Sequence, residues 1–82
     1  MTNAEFREWL RGFFELSEKD VVLQPPQIQV IVNHLNLAEA VENKLDDLNS
    51  QLRADIDAFR NQPSREPADF VRITQTIRDI IL

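Results

Sequence analysis

His34 is the chain's one histidine, and cysteine is absent. The serines Ser17, Ser50 and Ser64 stand among polar residues. An activated nucleophile needs a base within hydrogen-bond reach, and a zinc centre needs several His, Cys or carboxylate ligands converging on one point. Neither set can be assembled from these residues. The single glycine, Gly12, rules out a glycine-rich phosphate loop. Glu42 and Asp46 stand four apart and on one helix would share a face. Two carboxylates so placed can hold a divalent cation or move a proton in a dry cleft; with Lys44 between them they fit a solvated face instead. Asp55-x-Asp57 lacks the Gly and the Glu of a calcium loop. The expectation is a protein that is not an enzyme and has no catalytic, metal or cofactor-binding residues. His34, set among apolar neighbours, is expected to be a hydrogen-bonded structural residue; the alternatives are a pH-sensitive contact or a metal ligand.

Charge narrows the partners. The formal net charge is −5, which argues against nucleic acid, since a binder normally presents a basic face to phosphates. No apolar run approaches the ~20 residues that span a bilayer. No basic stretch followed by an apolar core opens the chain, so no signal peptide is visible. A soluble protein of the cytoplasm, without a membrane partner, is expected. Eighty-two residues form one domain at most. A chain of that size buries roughly 60% of its unfolded surface. Without disulfides, association is the stabilising device that remains.

The elements follow from periodicity. Thr2-Asn3-Ala4-Glu5 fits a capping box. Phe6, Trp9, Leu10 and Phe13 then repeat as one apolar helix face over 4–16. Trp9 is expected in the core, so that Trp9→Ala would unfold or nearly unfold the protein. Phe14 falls beside this face and widens it, and Gly12 suggests the close approach of another helix or room for the indole. Val21-Val22-Leu23 is short enough to be only an extended connector. Pro26 suits a helix start, and Ile28, Ile31, Val32 and Leu35 mark a second helix over 26–35. Asn36-Leu37-Ala38-Glu39 looks like another capping box and predicts a break near Asn36. An unbroken helix over 26–60 would be a rod of ~52 Å, too long for its own chain to cover. A third helix over 37–60 carries Val41, Leu45, Leu48, Leu52, Ile56 and Phe59 in near-heptad spacing. Residues 61–66 form a linker. A last helix over 67–82 shows Phe70, Ile73, Ile77 and Ile80 on one side. The fold expected is all-α: a helical core over 1–60 and a C-terminal helix, in a small bundle of three to four helices. The first helix should pack on the second and third.

More apolar surface is present than one such bundle comfortably covers. Residues 21–38 hold no charged side chain apart from His34. An uncharged helix is central in a bundle or part of an interface. Val30, Leu37 and Val41 form a stripe offset from the second helix's core face. The chain closes on Ile80-Ile81-Leu82. These six, with Trp9 and Phe14, are the candidate interface residues, and a homo-oligomer, most simply a dimer, is expected.

Phe6-x-x-Trp9-Leu10-x-Gly12-Phe13-x-Glu15-Leu16, followed by Gln27-x-x-x-Ile31-x-x-His34-Leu35, resembles a family of small proteins encoded by tailed bacteriophages. Its members share an N-terminal F-x-x-W-L-x-G-F/Y segment and a later Q-x-x-x-I-x-x-H-L segment. The resemblance covers the first 35 residues, and Pro25-Pro26 replaces the family's Thr-Pro or Ser-Pro helix start. It implies a phage gene product at work in the cytoplasm of a bacterial host, and brings no activity and no catalytic residues. Two roles then follow as expectations: an interaction or assembly protein acting through apolar helix faces, on itself or on another phage or host protein, or an acidic inhibitor that blocks a host protein.

Overall fold

Two of the helices start where a side chain accepts from an N–H of the first turn, and two start on a proline, whose missing N–H leaves one donor fewer to satisfy. The computed structural model describes residues 1–17 and 21–82. Among them are four helices: α1 (Asn3–Leu16), α2 (Pro25–Glu42), α3 (Asp47–Arg60) and α4 (Pro67–Ile81). At α1, the Glu5 N–H donates to Thr2 Oγ1 over 3.1 Å and the Thr2 N–H donates to Glu5 Oε1 over 2.8 Å. The Thr2 N–H, and then its hydroxyl, hold the Glu5 carboxyl below its ordinary range. α2 opens on Pro25-Pro26, with the Gln24 N–H donating to Gln27 Oε1. The Asp46 side chain caps α3 by accepting from the Asn49 N–H. Pro67 opens α4, and the Glu66 N–H donates to Asp69.

Residues 61–66 join α3 to α4, but the boundary between α2 and α3 differs from the one the sequence predicts. α2 runs through Asn36 to Glu42, and it is Asn43 that ends it, in the left-handed conformation with φ 65°. Asparagine tolerates that geometry better than most residues. The two polar residues that resemble a capping box have another task. Asn36 Oδ1 accepts from Arg53 of α3, and Glu39 pairs with the same guanidinium at 2.9 Å. They fasten α2 to α3 instead of starting a helix. The turn at 43–46 also cuts the expected heptad stripe. Leu52, Ile56 and Phe59 are buried, Val41 and Leu48 are exposed, and Asn49 occupies the core-facing position beside Leu48.

α1 packs along α2 and α4, and α3 packs along α4. The partner of α1 beside α2 is therefore chiefly α4; α3 is met through Asn3 and Arg7. That seating turns α1 relative to the expected face. Asn3, Phe6, Leu10 and Phe14 are its buried residues, while Trp9 and Phe13 line the margin of the core. Phe14 sits under the Arg78 guanidinium of α4, 5.1 Å from its ring centroid. Each fully buried side chain of this kind contributes about 1.5–3 kcal/mol. The connector is more than a spacer. Leu23 is fully buried, and its N–H donates to Thr74 Oγ1 over 2.8 Å. The Thr74 hydroxyl donates in turn to the Phe70 carbonyl, so a buried polar pair ties the connector to α4. The Cα radius of gyration is 12.3 Å, close to the ~12 Å expected for a compact chain of this length.

Candidate protein-association face

On α2 two stripes diverge. Ile28, Ile31, Leu35 and Ala38 are buried against the bundle. Val30, His34, Leu37 and Val41 recur at spacings of four, three and four, which places them on one line of the helix. Val30, Leu37 and Val41 are 44%, 55% and 56% exposed, so this line looks outward. Large apolar residues at such exposure are unremarkable singly; three of them aligned on a helix whose first charged residue is Glu39 form a patch.

α1 contributes the flank of the patch. The Trp9 indole stacks on the His34 imidazole, with centroids 4.1 Å apart and planes 7° from parallel. His34 Nδ1 donates to the Val30 carbonyl over 2.8 Å, fixing the ring. Trp9, Phe13, Gln27, Val30 and Ile31 line an apolar notch of about 100 Å³ beside the stripe. Trp9 is thus a half-buried wall of this face rather than a fully enclosed core residue.

Two other candidates do not join it. Phe14 is buried between α1 and α4, at 6% exposure, because α1 is turned toward α4. The C-terminal trio is split: Ile81 is buried, Ile80 is half-buried and only Leu82 is exposed. The last turn folds onto its own core, where the Ile81 carbonyl accepts from Arg11.

A second cluster gathers at the start of α1. Asn49 Nδ2 donates to Asn3 Oδ1 over 2.7 Å, and both side chains are buried. Asn3 Nδ2 donates to Glu42 Oε1 and to the Lys44 carbonyl, and the Asp46 N–H donates to Asn3 Oδ1. The Glu42 carboxylate also accepts from the Asn3 N–H, at the positive end of α1. Arg7 donates to Asp46 and to Asn49. Burial opposes ionisation of Asp46, but the Arg7 hydrogen bond, the Asn49 N–H and the Arg7 charge together outweigh it. Its carboxyl is held below the ordinary range. Glu42 and Asp46 therefore do not share a solvated helical face: a helix break lies between them, and each serves as an anchor. No buried side-chain polar atom among the described residues lacks a partner, which is the condition for a buried polar group to be tolerated. Sequence reasoning passes over Asn3 and Asn49; the available signal is an asparagine one residue beyond Leu48, inside an otherwise apolar repeat.

No helix of the described residues is long and apolar enough to cross a membrane. No protein family, curated protein or solved structure matches the chain.

Proposed function

We propose that this chain is a small helical association protein that covers the outer face of α2 with a second copy of itself. The observation that carries the reading is the aligned exposure of Val30, Leu37 and Val41 on a helix with no charged residue before Glu39. The bundle already has a core drawn from every helix, so this stripe is surplus to the monomer's own packing. The motif resemblance sets the work inside a bacterium infected by a tailed phage, as an assembly or accessory component.

An acidic decoy for a host protein draws less support. Of the carboxylates on 39–57, Glu39 is paired with Arg53, Asp46 with Arg7, and Glu42 is held by Asn3. These anchors break up the strip that a phosphate mimic would need.

The test is mass in solution. Light scattering across a dilution series is expected to give twice the 9.6 kDa chain mass at high concentration. Leu37→Asp is expected to give 9.6 kDa with unchanged helicity. A wild-type chain that stays at its single-chain mass at every concentration overturns the reading.

A further inference from the structure

Resting on that self-association, we propose that the two copies pair α2 against α2 in antiparallel fashion, about a two-fold axis passing between His34 and Leu37. The stripe Val30, His34, Leu37, Val41 has spacings of four, three and four, which read the same from either end. Turned end for end, it sets Val30 opposite Val41 of the second copy and His34 opposite Leu37. A two-fold contact requires a patch complementary to itself, and this one is. It runs ~16 Å along the helix, at 1.5 Å per residue.

Charge selects this direction over the parallel one. The Asn3–Glu42 contact shows that α1 begins where α2 ends. Among the described residues, that end holds Glu5, Glu8, Glu42 and Asp47 outside any ion pair, against Lys44 and the terminal ammonium of Met1, whose charge reaches Glu5. The other end of α2 has no charged residue of its own. Arg60 borders it by donating to Gln29 Oε1 over 2.8 Å, and Arg65 lines the same cleft beside Pro25; with Glu66 next to Arg65 and Glu15 on the last turn of α1, this end is close to neutral rather than acidic. Parallel pairing would set the two acidic ends side by side. Antiparallel pairing separates the two acidic ends, sets Asp47 of each copy on the flank that holds the other copy's Arg60 and Arg65, and also opposes the helix dipoles favourably. It further brings Val41 of the second copy to Val30, at the lip of the notch walled by Trp9 and Phe13.

The chain has no cysteine, so introduced thiols report alone. Val30→Cys and Val41→Cys, both at exposed positions, are checked for unchanged helicity and then oxidised with glutathione disulfide, separately and after co-refolding. The antiparallel pair is expected to give a disulfide-linked dimer only in the mixture, joined from position 30 of one copy to position 41 of the other and identified by mass spectrometry. In that geometry like positions at the stripe's ends lie ~16 Å apart along the axis, beyond disulfide reach. Cross-linking of each variant with itself would overturn the proposal in favour of parallel pairing. A wild-type dimer by light scattering whose mixed variants fail to cross-link would also overturn it, leaving self-association through another face. A single-chain mass throughout would overturn the self-association itself.

Discussion

The Trp9 indole lies flat on the His34 imidazole, joining the first helix to the outer edge of the second. Because the imidazole is held by the Val30 carbonyl, the indole rests on a fixed surface. His34→Ala is expected to shift Trp9 fluorescence to longer wavelength and to weaken the near-ultraviolet circular dichroism of the indole. Aromatic pairs contribute about 0.5–1.5 kcal/mol beyond area burial. Trp9→Ala should therefore cost less than Phe6→Ala, for which about 3–5 kcal/mol is expected from full burial. Denaturant melts of the two variants check the order; equal losses would place Trp9 in the core.

Gly12 suggests a close approach in the sequence, and the structure shows none. A methyl group built there meets nothing within 4 Å, and the backbone is ordinary helix. Gly12→Ala is expected to raise stability by about 0.5–1 kcal/mol through helix propensity and reduced freedom of the unfolded chain. For a domain of this size, 1 kcal/mol raises the melting temperature by roughly 4–8 °C. A lower melting temperature would mean that the methyl group meets an obstacle.

Asp46 sets an acid limit on the fold. Its folded pKa lies below the unfolded one, so its contribution is present above the unfolded value near 3.8 and is lost as pH falls through the folded value. Stability is expected to drop with acid below about pH 4. Asp46→Asn, which retains a capping side chain, should be less stable near neutrality and lose less between neutral and acid conditions. Urea melts at a series of pH values test this, and an unaltered pH profile would remove Asp46 from the account.

The Asn3–Asn49 pair is expected to be coupled. Asn49→Ala strands buried groups of Asn3, at about 1–3 kcal/mol. A double-mutant cycle with Asn3→Ala should give a coupling of at least ~0.5 kcal/mol. Strict additivity would show that the two side chains contribute independently.

Much of the architecture is legible because local chemistry states it. The Thr2–Glu5 box, the Pro67 start and the apolar spacing of Ile28, Ile31 and Leu35 are local signals that the tertiary structure keeps. The errors share one physical origin. Asn36 and Glu39 look like a cap until Arg53, from a distant part of the chain, claims both. Phe13 and Phe14 are equally apolar, and only the placement of α4 decides which is enclosed. The outward line Val30, Leu37, Val41 can be drawn from helical spacing alone. The wall that Trp9 and Phe13 build beside it, and the Asn3–Asn49 cluster, depend on the way α1 is seated.

The bond from Leu23 to Thr74 bridges the two halves of the molecule. It means that neither helical hairpin is a finished object. Cutting the chain within 61–66 would leave the first piece with a bare leucine and an orphaned amide, and the second with a hydroxyl facing no donor. Folding and loss of folding should thus run through the whole chain at once, with no stable intermediate made of two helices.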